Sequence, residues 1–298
     1  MECGAGITMK RSASSSSWAP WGEMETDCLV HVFRRLPLED IAAAAPLVCR
    51  GWRRAASDPS LWRDLDLRCT QDVTRFMPWG ALATAFARRY GVARFAFAGF
   101  LALCLARAGD GGSVSRLALP PLLSSPGDLD RVALLCPGLR RLSLPINLSP
   151  ADEAHLPELV PRWPKLQRLE LESKPASFPA MARQLALHCP EFSGLKIGSG
   201  SIKPEDAEAM AAFGLRSLSL DSCYLPKQQL LAILAGCKQL VEFSARDCVG
   251  FDEKDDEVMA RGAGIERFDI GGSRSVEDLD EEMMLDDELC GSSYVDVM

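Results

Sequence analysis

One apolar motif, L-x-x-L-x-L, recurs along most of this 298-residue chain and limits what it can fold into more than any other feature. Its clearest copies are Leu139/Leu142/Leu144, Leu166/Leu169/Leu171 and Leu215/Leu218/Leu220. Weaker copies are Val92/Phe95/Phe97, Val114/Leu117/Leu119, Phe192/Leu195/Ile197, Leu240/Phe243/Ala245 and Ile265/Phe268/Ile270, with Trp62/Leu65/Leu67 as an opening strand. The central residues of the eight full copies lie 22 to 27 positions apart. Alternation with period two predicts a short strand in each copy. A proline (Pro126, Pro150, Pro179, Pro204, Pro226) then opens an apolar helical stretch, a position where its missing N–H is no loss. Leu129/Val132/Leu135, Met181/Leu185/Cys189 and Leu230/Leu231/Leu234 supply the buried stripes of such helices, and Gly236 marks a stop. Asn147, Cys223 and Cys248 fall three residues past the motif, where a small polar or thiol side chain satisfies backbone groups leaving the strand.

A strand and a helix this short cannot bury their apolar faces alone, whereas stacked neighbours can. The expected class is therefore α/β: a short solenoid over residues 65–273, with parallel strands on the concave face and helices on the convex face. The period is that of the leucine-rich repeat (LRR), the family this segment resembles.

Ahead of the repeats, Met24 to Trp62 reads as three or four short helices. Cys28, Leu29, Val32, Phe33 and Leu36 share one face of the first, whose last turn carries Arg34 and Arg35 and which Pro37 ends. Ile41, Ala44 and Ala45 share a face of a second, and Val48, Cys49, Trp52 and Ala56 of a third. Asp58 and Pro59 cap a last turn bearing Leu61 and Trp62. About forty residues bury too little apolar surface to stand without a partner. The order Leu29, Phe33, Leu36-Pro37, Asp40-Ile41, Val48-Cys49-Arg50, Trp52-Arg53, Asp58, Leu61-Trp62 resembles an F-box, departing only at its start, where Met24-Glu25 replaces the usual Leu-Pro.

That resemblance implies docking to a Skp-family adaptor and, through it, to a cullin and a RING protein. It assigns adaptor contacts to Leu29, Val32, Phe33, Leu36, Pro37, Leu38, Ile41, Val48, Cys49, Trp52, Leu61 and Trp62. A helical F-box over residues 18–64 followed by repeats resembles the F-box/LRR proteins of plants, substrate-recognition subunits of SCF-type ubiquitin ligases. The implied role is non-catalytic: to hold an unidentified target protein for ubiquitination in the nucleus or cytoplasm. An LRR interaction scaffold outside any ligase is the alternative.

Composition narrows the remaining classes. The net charge of −8 is concentrated in residues 276–298, which hold nine acidic residues and no Lys or Arg. The rest is near neutral, which argues against nucleic acid as a partner. No apolar run is long enough to span a bilayer, so no membrane partner is expected. The opening MECGAGITMKRSASSSS lacks an apolar stretch, so no secretory signal is expected, residues 1–17 are expected to be disordered, and Trp18 and Trp21 to begin the ordered part. Residues 274–298 form an acidic tail. The 11 cysteines contain no Cys-x-x-Cys pair, and His31, His155 and His188 lie in separate segments, so neither a metal, a cofactor nor a catalytic constellation is expected.

One column of the repeats carries charge. The residue before the central apolar one is Arg94, Arg116, Arg141 and Arg168 in four successive copies, then Gly194, Ser217 and Glu242. Strands about 4.8 Å apart would bring the arginines into a like-charge ladder, unfavourable unless an anion offsets it. The ladder is thus a candidate substrate-binding surface for an acidic or phosphorylated segment, expected toward the N-terminal half of the repeats. A solvated row, offset by Glu170 or by the chain's own acidic tail, is the alternative.

Overall fold

The computed structural model describes residues 21–68, 80–109, 114–120, 127–146 and 148–277. Trp18, Pro126, Asn147, residues 1–17 and the acidic residues 278–298 lie outside them. The chain divides into two compact units, Met1–Ala56 and Ser57–Met298.

In the first unit, α1 (Thr26–Phe33) buries Leu29, Val30 and Phe33. The helix ends before the turn expected to carry Arg34 and Arg35, and the Arg35 side chain donates to the His31 carbonyl at 3.2 Å. A π-helical turn (Asp40–Ala44) buries Ile41, Ala42 and Ala43 and runs into α2 (Ala45–Val48). Cys49 is extended, φ −159° and ψ 177°, and separates α2 from α3 (Arg50–Ala56). Val48 and Cys49 therefore do not extend the helix that carries Trp52, contrary to the sequence expectation. Trp52 packs edge-on against Phe33, with ring centroids 5.1 Å apart, and its indole N–H donates to the Trp21 carbonyl at 3.0 Å.

The second unit opens with a 3-10 turn (Pro59–Trp62), whose N-cap Asp58 accepts the Ser60 N–H at 2.9 Å. After β1 (Asp64–Asp66) come two helices in succession, α4 (Ala81–Tyr90) and α5 (Phe97–Arg107). Strand and helix then alternate: β2 (Arg116–Ala118), α6 (Asp128–Leu135), β3 (Arg141–Leu144), α7 (Pro150–Leu159), β4 (Arg168–Leu171), α8 (Phe178–His188), β5 (Gly194–Ile197). A short β6 (Gly200–Ser201) precedes α9 (Pro204–Ala211), β7 (Ser217–Ser219), β8 (Cys223–Tyr224), α10 (Lys227–Gly236), β9 (Glu242–Ser244), α11 (Asp256–Gly262) and β10 (Arg267–Asp269).

Among the described residues, eight of these strands form one sheet in the order β1-β2-β3-β4-β5-β7-β9-β10, and β6 pairs with β8. Every pairing is parallel, and Leu65, Leu117, Leu142, Leu169, Leu195, Leu218, Phe243 and Phe268 share one register column. All of them except Phe268 are at most 2 % exposed. Each fully buried leucine in such a column contributes about 1.5–3 kcal/mol. The motif therefore packs the core on one sheet face and leaves the residues between its leucines on the other.

One copy is corrected: Val92/Phe95/Phe97 is not a strand. Phe97 begins α5, and Leu65 pairs directly with Leu117. The period-two pattern there is overridden by the helical spacing of Phe97, Phe100, Leu101, Cys104 and Leu105, all buried. Phe86 of α4 meets Phe95 and Phe100 at 5.5 and 5.6 Å.

The helix starts follow the prolines. Pro150 opens α7 behind Ser149, whose hydroxyl accepts the Asp152 N–H at 3.1 Å; Pro204 opens α9, Pro179 lies in the first turn of α8, and Pro226 is the N-cap of α10. Gly236 ends α10 for a different reason from a left-handed cap: its φ is not positive, and a Cβ there would run into Ala211 of α9. The Cys223 and Cys248 thiols donate to the Ile197 and Leu220 carbonyls at 3.8 and 3.1 Å. Cys189 and Cys237 reach the Trp163 and Met210 carbonyls at 3.3 and 3.4 Å. Burial pushes Cys223 up to about 12 and Cys189, Cys237 and Cys248 up to about 11, which favours the protonated thiol that these bonds to neighbouring turns require. No described helix is long and apolar enough to cross a membrane.

Candidate functional site

Two surfaces carry the residues singled out by sequence. In the first unit, the set divides by burial. Leu29, Phe33 and Ile41 are at most 5 % exposed and form that unit's core. Leu36, Leu38, Cys49 and Trp52 are half-buried, and Val32, Pro37 and Val48 are exposed. Leu61 and Trp62 belong to the second unit and are buried there, with the Arg107 guanidinium 5.0 Å above the Trp62 ring. Sequence periodicity missed Leu47, which is 60 % exposed beside Val48 at 59 %. The break at Cys49 turns both away from the core, and no local sequence signal marks such a break.

The second surface is the sheet face between the core leucines. Its charged column reads Asp64, Arg116, Arg141, Arg168, Gly194, Ser217, Glu242, Arg267 in register. Arg94 is not in it: that residue is exposed between α4 and α5, and Asp64 takes the place expected for it. The acidic start changes the column's electrostatics. Arg116 lies 3.4 Å from Asp64 and 3.6 Å from Asp66. Burial alone would raise the Asp66 carboxyl, but hydrogen bonds from Arg68 and the charges of Arg68 and Arg116 hold it below its ordinary range. Glu170 serves Arg68, 3.8 Å away, and accepts from the Ser143 hydroxyl at 2.9 Å. The N-terminal end of the face is thus internally neutralised.

Further along, Arg168 lies across Gly194, where an added Cβ would sit 3.0 Å from its Nε. It donates to the Ser217 hydroxyl at 2.8 Å and comes within 3.9 Å of Glu242, which also pairs with Arg267. Neither Arg141 nor Arg216 has an ion-pair partner among the described residues. A hollow of about 350 Å³ joins these groups: Arg141, Arg168, Arg216 and Arg267 line it with Gln167, Ser193, Gly194, Ser217, Val241 and Glu242. A larger hollow of about 860 Å³ adjoins it, lined by charges of both signs, among them Lys196, Asp221, Arg246 and Asp269. There Asp221 accepts from Ser219 and Ser244 at 2.8 and 2.5 Å and from the Arg246 N–H at 3.1 Å. The cationic part of the face is therefore central and C-terminal. Arg267 was not named from the sequence, although it continues the column at the residue before Phe268; Arg216, one position outside the column, carried no such signal. No group of three or more His, Cys, Asp or Glu able to hold a metal occurs among the described residues.

The chain is similar to known proteins over most of its length. A family described as F-box-like matches residues 26–68. An F-box/LRR-repeat protein of Arabidopsis thaliana is 26 % identical over 275 residues, covering 87 % of this chain and 86 % of the relative. Putative F-box/LRR-repeat protein 9 of the same plant is 25 % identical over 256 residues, 81 % of this chain and 97 % of the relative. F-box/LRR-repeat protein 8 of Bos taurus is 37 % identical over 59 residues, 20 % of this chain and 16 % of that one.

Proposed function

We propose that the chain is the substrate-recognition subunit of a Skp–cullin–F-box ubiquitin ligase. In this reading the first unit docks a Skp-family adaptor through Val32, Leu36, Pro37, Leu38, Leu47 and Val48. Leu29, Phe33, Ile41 and Trp52 hold that surface in shape. The second unit is an LRR solenoid whose open strand face holds a target protein. The chain performs no bond chemistry. Its contribution is proximity: a target on one unit and a cullin and RING protein reached through the other share a high effective concentration. A nuclear or cytoplasmic site of action goes with that assembly.

The observation that carries the reading is the F-box-like stretch over residues 26–68 together with Leu47 and Val48, which remain 60 % and 59 % exposed on a unit this small. Exposed apolar pairs of this kind anchor helical docking surfaces, and truncating an anchor typically costs 2 kcal/mol or more, roughly thirtyfold in affinity.

The test is co-purification of the full chain with a Skp-type adaptor and a cullin, comparing wild type with a Leu47→Asp, Val48→Asp variant. Both positions are outside the core, so circular dichroism is expected to be unchanged while the complex is lost. Recovery of adaptor with both forms would refute the assigned surface. Failure of the wild type to hold any adaptor would leave an LRR scaffold outside the ligase.

A further inference from the structure

We infer that the arginine-lined hollow across β3 to β10 binds an extended acidic segment of a partner protein, its carboxylate or phosphate groups seated among Arg141, Arg168, Arg216 and Arg267. This rests on the proposed receptor role only in taking the partner to be a target.

Three observations carry it. First, the charge within the hollow is unbalanced: four guanidinium groups face one carboxylate, Glu242. Arg141 and Arg168 are register partners on adjacent strands about 4.8 Å apart, a like-charge pair that costs stability. At the N-terminal end of the same column Asp64 and Asp66 relieve that cost for Arg116, while Arg141 has no such partner among the described residues. The fold thus neutralises one end of the row and leaves the middle cationic.

Second, the floor is open where the charge is concentrated. Gly194 leaves the space that a side chain would take from Arg168. The Arg168 side chain crosses Gly194 and is fixed by the Ser217 hydroxyl at 2.8 Å. A planar fork held this way presents its remaining N–H groups to a carboxylate or phosphate as a pair. Glu242, between Arg168 and Arg267, already occupies the position of an anion and marks where a ligand group would sit.

Third, the dimensions suit a peptide. From β3 to β10 the sheet crosses five strand spacings, roughly 24 Å, the length of about seven residues in extended conformation. One small anion cannot reach both Arg141 and Arg267, whereas a segment with two or more anionic side chains can. The hollow is open to solvent, so binding is expected to weaken with salt.

The test is fluorescence anisotropy of the full chain with labelled hexaglutamate, a glycine–phosphoserine alternating peptide of equal length, and hexaglutamine. Inorganic tripolyphosphate serves as a competitor. The anionic peptides are expected to bind and hexaglutamine not to. Arg141→Ala and Arg216→Ala, both at exposed positions, should each weaken binding at least about fivefold, and Glu242→Gln should strengthen it about threefold by freeing Arg168 and Arg267. Tighter binding of phosphoserine than of glutamate names phosphate as the source of the anion; the reverse names carboxylate. Equal binding of hexaglutamine, no response to the three substitutions, or binding of tripolyphosphate with neither peptide would overturn the inference. Adaptor capture from the same preparation separates the two readings. A chain that holds adaptor but neither peptide refutes this inference alone, and one that holds peptide but no adaptor refutes the receptor role alone.

Discussion

Lys174 and Asp206 place opposite charges where water barely reaches: their side chains are 9 % and 1 % exposed, with Nζ and Oδ2 3.0 Å apart. The same Oδ2 accepts the Lys203 N–H at 2.9 Å in the first turn of α9, where a carboxylate also meets the positive end of the helix. Oδ1 has no hydrogen-bond partner among the described residues. Removing one member of such a pair leaves the other buried and uncompensated, which costs about 3–5 kcal/mol. Lys174→Met should therefore destabilise strongly in urea unfolding, and adding Asp206→Asn should recover part of the loss. A cost of about 1 kcal/mol or less for Lys174→Met would mean that the pair behaves as a solvated one. This pair was invisible in the sequence: Lys174 follows β4, Asp206 lies in the first turn of α9, and only the stacking of successive strand–helix repeats brings them together. The arginine column was legible because its members recur at a fixed offset from the buried leucines, and an offset survives folding.

At the level of elements, the repeats were readable wherever strand and helix signals agreed, and failed where they competed. Proline at the start of α7 and α9 fixed those boundaries because its backbone constraint is local. Around Phe95 the same residues satisfy a two-residue and a helical period, and packing decides: Phe86, Phe95 and Phe100 form an aromatic cluster that a strand there would break up. The consequence reaches the charged face of the sheet, since losing that strand puts Asp64 beside Arg116 and neutralises the end of the row. Neighbouring helices show a second kind of link that sequence cannot give. His155 of α7 lies 3.2 Å from Asp130 of α6 and 3.0 Å from Glu158. The hydrogen bond to Asp130, with the charges of Asp130 and Glu158, outweighs the opposing effect of burial and raises the imidazole above its ordinary pKa. A raised folded-state pKa means the stabilisation is fully present below the unfolded value of about 6.5 and is lost as pH rises through the folded one. His155→Asn should lower the unfolding free energy more at about pH 5.5 than at about pH 8.5, by no more than about 1 kcal/mol because the pair is exposed, as read by urea unfolding at the two pH values. Equal losses at both pH values would show that the ion pair contributes nothing and that only packing was removed.

For the whole molecule, charge sets how the proposed peptide site is approached. The chain carries −8 overall, yet residues 276–298 hold nine acidic groups and no basic ones, so the remaining 275 residues carry 33 basic and 32 acidic groups. An acidic ligand therefore meets a nearly neutral body with a cationic trough, tethered to a segment of its own sign. Whether that segment repels the ligand at a distance or competes for the same arginines, its effect has one sign: it weakens binding. Both routes are electrostatic and are screened over a Debye length of about 10 Å at 0.1 M salt and about 3 Å at 1 M. Deleting residues 276–298 is expected to tighten hexaglutamate binding severalfold at low ionic strength, with the difference shrinking as salt is added. The measurement is anisotropy of the two chains across a salt series, with Arg141→Ala introduced into each. If the tail acts through the trough, the deletion should gain less in the Arg141→Ala background than in wild type, because part of the field it opposes is gone. An undiminished gain would place the tail's influence elsewhere on the surface, and no gain at low salt would mean that the acidic segment leaves the trough untouched.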